Sequence, residues 1–189
     1  MFYLCKGSAN RGQYKMCLHI FIVDVKPTLS SPLFGMEIRQ LNLPPYDCQL
    51  RRTDDKTYIY DTLRRRYVAL TPEEWVRQHF VHFMVQHLGY PAALMANEVE
   101  LRCGAKRLRC DTVLYDQSLR PRMIIEYKAP HIKIQQKTFD QIVVYNLLLH
   151  ADYLVVSNGL QHYCCQMDYE HRSYTFLTDI PDYELIANS

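Results

Sequence analysis

The chain has 189 residues, of which 48% are hydrophobic and 22% charged, a balance that suits one globular domain with its own core. Its net charge of +2 is too mild to argue for a polyanionic partner by itself. Any such surface has to come from local clusters: Arg64, Arg65 and Arg66, or Lys106, Arg107 and Arg109.

The seven cysteines are odd in number and show no C-x-x-C spacing. They argue against a disulfide framework or a zinc site and fit free thiols in a reducing cytoplasm. Cys164 and Cys165 are adjacent in an expected strand, so their side chains should point to opposite faces.

Residues 1–36 read as a poorly defined N-terminal extension, rich in breakers and without sustained period, and Met36 is a candidate start of translation. Residues 37–189 are expected to form the folded domain. The apolar run from Met16 to Val25 carries His19 and Asp24 and is shorter than the ~20 residues of a membrane span. It is followed by Lys26 with no small-residue cleavage site, so neither a span nor a signal peptide is expected, and the chain reads as cytoplasmic.

Two β-rich runs, Thr57–Tyr60 and Tyr67–Leu70, suggest a hairpin. Thr71-Pro72-Glu73-Glu74 then opens a helix: Thr71 is placed to cap it, Pro72 suits the first helical position, and Glu74 completes a capping box. Trp75, Val76, Phe80, Phe83, Met84 and Leu88 follow at helical spacing, and Gly89-Tyr90-Pro91 stops them. His79, His82 and His87 lie on this helix, where packing explains them better than metal binding. Three strands are expected next, at Met95–Leu101, Leu108–Tyr115 and Pro121–Tyr127, and then a helix from Gln135 to His150. Tyr153–Ser157 and Gln161–Met167 read as strands around Asn158-Gly159, a strong hairpin signal, and Ser173–Leu177 is a further strand candidate. The order predicts an α/β fold, a mixed central β-sheet flanked by helices.

Glu126-Tyr127-Lys128 is the sharpest local motif, although an acidic-x-Lys triplet arises about once by chance in a chain like this. It ends the apolar strand Met123-Ile124-Ile125, so Glu126 and Lys128 share one face. If residues 108–115 and 121–128 pair antiparallel with Asp111 opposite Glu126, the midpoint falls between Ser118 and Leu119, inside a polar loop. Directly opposed Cβ atoms lie roughly 5 Å apart, close enough for two carboxylates to share a hard divalent cation. Such a cation polarises a phosphoryl oxygen and activates water, and Lys128 is suited to orient that water or offset transition-state charge. The competing reading is a surface cluster in which Lys128 merely neutralises Asp111 and Glu126; on pattern alone it carries equal weight. Gln141 and Tyr145 follow at i, i+4 on one helix face, where they can meet a phosphate backbone or simply pack and solvate.

Several stretches in order resemble a known family: Leu43-Pro44-Pro45-Tyr46, Leu70 to Gln78, Arg109-Cys110-Asp111, Glu126-Tyr127-Lys128-Ala129-Pro130, Gln141 to Tyr145, and Ser157-Asn158-Gly159. Together they resemble the N-terminal nuclease domain of type I restriction enzyme R subunits, in its small stand-alone bacterial form, over about three quarters of the chain. The resemblance implies a restriction-endonuclease-like PD-(D/E)XK core and cleavage of DNA dependent on Mg2+ or Mn2+. It assigns Asp111, Glu126 and Lys128 to catalysis, and Asp111, Glu126, the Tyr127 carbonyl and a helix acid to the metal. Glu74 is the candidate for that acid, with Glu73 behind it and the capping role as the alternative for Glu74. Gln141 and Tyr145 match the Q-x-x-x-Y element linked to DNA positioning. The implied partners are DNA and either restriction-system subunits or a second copy of the chain. Tyr127 stands where a small residue is common, and no G-x-x-x-x-G-K-[ST] phosphate loop occurs, so the chain is not expected to translocate DNA by itself. A catalytically silent binding module on the same fold is the alternative.

Overall fold

The computed structural model describes residues 40–54 and 56–187. The expected N-terminal extension and Met36 lie outside these residues, as do Cys5 and Cys17. The elements, in chain order, are β1 (Leu50–Thr53), β2 (Lys56–Asp61), β3 (Arg66–Ala69), α1 (Pro72–His87), β4 (Met95–Cys103), β5 (Lys106–Tyr115), β6 (Pro121–Tyr127), α2 (Gln136–Leu149), β7 (Tyr153–Ser157), β8 (His162–Asp168), β9 (Ser173–Leu177) and α3 (Tyr183–Ala187). A short 3-10 turn at Ala92–Leu94 leads into β4.

Strands β1, β2 and β3 form a small antiparallel sheet. The main sheet is mixed, in the order β4-β5-β6-β7-β8-β9. Only β6 and β7 are parallel within it, and parallel neighbours need a crossover, which α2 supplies. The sheet is covered on both faces. Met123, Ile125 and Tyr127 of β6 pack with Val76, Phe80 and Met84 of α1. Ile124, between them, packs with Phe139, Ile142 and Tyr145 of α2. The two cysteines of β8 follow the same alternation, Cys164 in the α1 layer and Cys165 in the α2 layer.

Covering both faces explains why β6 is buried from Arg122 to Tyr127 around the apolar run Met123-Ile124-Ile125. Helix α1 begins at the expected cap, where the Thr71 hydroxyl accepts the Glu74 backbone N–H at 3.0 Å. His79 packs among Trp75 and Tyr46 and its Nδ1 lies 2.9 Å from the Trp75 carbonyl, a packing role. The cysteines among the described residues are free thiols. Among the described residues no helix is long and apolar enough to cross a membrane.

Candidate functional site

The β5–β6 hairpin brings the acids together. Thr112, Val113 and Leu114 pair with Ile125, Ile124 and Met123, and one more step in that register sets Asp111 opposite Glu126. The one-residue mismatch near the turn is absorbed by an irregularity at Leu114 and Tyr115. The Tyr127 N–H donates to Asp111 Oδ2 at 2.8 Å, which fixes the Asp111 carboxylate over the end of β6.

Glu126 lies on the α2 side of the sheet. Its Oε1 accepts from Lys128 Nζ at 2.7 Å and from Gln141 Nε2 at 2.7 Å. Gln141 Nε2 also donates to the Tyr145 hydroxyl at 2.8 Å, and Lys128 Nζ lies 3.3 Å from Gln141 Oε1. Glu126, Lys128, Gln141 and Tyr145 therefore form one connected polar group. Glu126 Oε2 is buried with no hydrogen-bond partner. Burial first, then the facing Asp111 carboxylate, push the Glu126 carboxyl up to about 7 against the pull of Lys128. Burial opposes the charge on Lys128, but Glu126, Asp111 and Glu73 together hold its ammonium above the usual lysine range.

Arg77, which is 3% exposed, reaches the same point from α1. It donates through Nη2 to Asp111 Oδ1 at 2.8 Å and through Nη1 to Glu74 Oε2 at 2.7 Å and Glu98 Oε1 at 2.6 Å. These three carboxylates hold its guanidinium more firmly protonated than usual despite burial. Burial raises the Asp111 carboxyl, with Arg77 and the Tyr127 N–H opposing. No local pattern marks Arg77 or Glu98 for this role. Arg77 sits mid-helix, 34 residues from Asp111, and only the tertiary fold joins them.

The two glutamates of the first helical turn diverge. Glu74 Oε1 accepts from Arg64 at 2.8 Å and Gln78 at 2.7 Å, and Oε2 from Arg77, so neither oxygen is free and neither completes the capping box. Glu73 is half-buried and feels Asp111, Lys128 and Arg77; burial and Asp111 raise its carboxyl.

Residues 72–181 match the family described as the type I restriction enzyme R protein N terminus. The chain belongs to that family. The match runs from the first residue of α1 past β9 and spans Glu73, Glu74, Arg77, Asp111, Glu126, Lys128, Gln141 and Tyr145. Among solved structures, the fragment of an HsdR subunit assigned to a type I restriction enzyme from Vibrio vulnificus YJ016 is similar over 63% of this chain, at 16% identity and a TM-score of 0.47. The similarity spans 25% of that chain's length. No curated protein matches the chain.

For this R-protein N-terminus relative, the side chains meet part of what a divalent cation asks. Among the described residues no group of three or more His, Cys, Asp or Glu side chains is gathered to enclose a metal. Magnesium, however, is commonly held by one or two carboxylates with water completing the shell. Asp111 and Glu126 offer two neighbouring carboxylates: both Asp111 oxygens already accept, from Arg77 and the Tyr127 N–H, whereas Glu126 Oε2 is buried with no partner.

Proposed function

We propose that the chain is a nuclease built on a PD-(D/E)XK core, which hydrolyses DNA phosphodiesters with Mg2+ or Mn2+, alone or as part of a restriction system. The observation that carries this reading is the opposed pair Asp111 and Glu126, with Lys128 Nζ 2.7 Å from one Glu126 oxygen and the other oxygen buried without a partner. Glu126 is paired through one oxygen only, and a cation shared with Asp111 would satisfy the other. Asp111, Glu126 and the Tyr127 carbonyl would hold it, with Glu73 the helix acid better placed to assist, since both oxygens of Glu74 are taken. When bound, the cation polarises a phosphoryl oxygen and lowers the pKa of the attacking water.

The rest is work for the chain's own side chains. Lys128 is positioned by Glu126 and Gln141, and its ammonium offsets the negative charge that grows on the phosphoryl oxygens. The Tyr145 hydroxyl accepts from Gln141, which leaves its own proton to donate to a phosphate beside the site.

Purified protein incubated with plasmid and Mg2+ or Mn2+ tests the reading. Asp111→Ala and Lys128→Ala should each lower cleavage by about 100-fold or more. Equal cleavage by wild type and both variants would sink it. One observation favours a second reading, a silent binding module: Arg77 and the Tyr127 N–H already engage both Asp111 oxygens. Calorimetric titration of Mn2+ with and without DNA separates the two. The nuclease reading expects a site in wild type that Asp111→Ala loses; no site in either protein leaves the binding module.

A further inference from the structure

The β4–β5 ribbon runs past the candidate site. Strand β6 pairs with β5 only from Thr112 onward, whereas β4 and β5 stay paired out to Cys103 and Lys106. The turn at Gly104 stands six residues or more beyond Asp111, roughly 20 Å at strand rise. One face of this overhang packs: Val99, Leu101 and Leu108 rest against the α2-side core. By alternation, Arg102, Arg107 and Arg109 occupy the other face.

That face has an unusual feature. Arg102 and Arg107 are directly opposed across the two strands, with both side chains exposed. Like charges in that position destabilise a ribbon. No ion pair among the described residues relieves them or the neighbouring Lys106. Arg109 is paired with Glu98 at 2.6 Å, and Glu98 also accepts from Arg77, so the root of the ribbon is anchored to α1 beside Asp111. A cationic arm is thus held firmly at its base, carries one acid on this face at Glu100 opposite Arg109, and leaves Arg102 and Arg107 without an ion pair among the described residues at its tip.

We propose that Arg102 and Arg107 grip the phosphate backbone of duplex DNA and hold it against the Asp111–Glu126 site. The choice of DNA among polyanions rests on the nuclease reading; the need for an anionic partner rests on the ribbon. Arginine binds phosphate in bidentate fashion, and a two-stranded ribbon is narrow enough to follow a DNA groove.

The test is fluorescence anisotropy with a labelled 20-bp duplex, in EDTA and on a Lys128→Ala background, so that binding is read without cleavage. Each phosphate contact contributes about 0.9 to the slope of log K against log salt. The double variant Arg102→Ala/Arg107→Ala should bind at least 10-fold more weakly, with a slope shallower by about 2. A second variant, Arg107→Glu, places an acid opposite Arg102: it should weaken binding while its melting temperature stays level or rises. Wild-type affinity and slope in the double variant overturn the proposal. So does weaker binding accompanied by a lower melting temperature in both variants, which marks a structural role. Plasmid cleavage by the enzyme with an unmutated Lys128, together with unchanged binding, would remove the arm and leave the nuclease. Arm-dependent binding without cleavage would do the reverse.

Discussion

Glu73 and Glu74 are consecutive in α1, and a helix turns by about 100° between neighbours. That rotation sends Glu74 between Arg64, Arg77 and Gln78, and sets Glu73 toward Asp111 and Lys128. Removing one partner of a buried ion pair leaves the other uncompensated, at roughly 3–5 kcal/mol. Glu74→Ala leaves Arg77 with Asp111 and Glu98 and Arg64 with Asp61, so through its lost charge-assisted hydrogen bonds it should destabilise the protein by about 1–3 kcal/mol in urea unfolding. Glu73→Ala, half-buried and outside that ladder, should stay within about 0.5 kcal/mol yet lower DNA cleavage at least 10-fold. The reverse pattern, stability lost at Glu73 and cleavage unaffected, would return the assisting role to Glu74. Arg77 answers to the same logic: Arg77→Ala removes the one ion-pair partner of Asp111 among the described residues, while Glu74 keeps Arg64 and Glu98 keeps Arg109, and should cost as much as Glu74→Ala or more. Sequence alone puts Glu74 first as the assisting acid and Glu73 behind it, with the capping pattern as the alternative role for Glu74. What separates them is the arrival of Arg64 and Arg77, and nothing local encodes the second set of contacts Arg77 makes with Glu98 and Asp111.

At the level of elements, legibility follows how local the determinants are. The β5–β6 register was readable because a polar five-residue loop fixes the midpoint, and a one-residue slip would flip every side chain to the wrong face. Helix α1 was readable from Thr71 and Pro72, and α2 from its uninterrupted period. Strand β1 carries no such signal: it is exposed along most of its length, with Arg51 and Arg52 in place of an alternation. Five-residue α3 is too short to show a period, and its main tie to the core is Ile186. The Asn158-Gly159 turn shows how a local signal also serves a distant segment. Gly159 has φ +80°, and a Cβ there would stand 2.7 Å from the Leu41 side chain. The Gly159 carbonyl accepts the Asn42 N–H at 2.7 Å, while His162 Nε2 lies 3.0 Å from the Asn42 carbonyl. Gly159→Ala should thus cost about 1–2 kcal/mol, from left-handed backbone strain plus displacement of Leu41. Chemical denaturation measures this. A loss below 0.5 kcal/mol would show, by the usual size of neutral surface substitutions, that the 41–43 segment yields freely.

Across the whole molecule the charge is near balance, yet it is sorted. Exposed arginines line the β4–β5 overhang, and acids concentrate at its root and at the end of β6. The buried acid Glu126 should make stability depend on pH in a direction opposite to that of the buried histidines. Glu126 ionises near 7 in the folded chain and near 4.5 when unfolded, so its contribution is complete below about 4.5 and is lost as pH rises through 7. Burial lowers His79 and His162 to about 4, so their contributions are complete above about 6.5 and are lost as pH falls through 4. Glu126→Gln removes only the first effect. In EDTA at pH 8 the variant should be more stable than wild type by about 2–3 kcal/mol, a shift of roughly 5–10 °C in a chain of this size, and the gap should close at pH 4.5. A cation between Asp111 and Glu126 compensates the same charge by another route. Added Mn2+ should raise wild-type stability at pH 8 by about 2.7 kcal/mol at 100 times its Kd, with no comparable gain in the variant. If the melting temperatures of the two proteins track each other at every pH, with and without Mn2+, then the ionised Glu126 carboxylate meets enough compensation from Lys128 and Gln141 alone, and no unrelieved charge waits there for a metal.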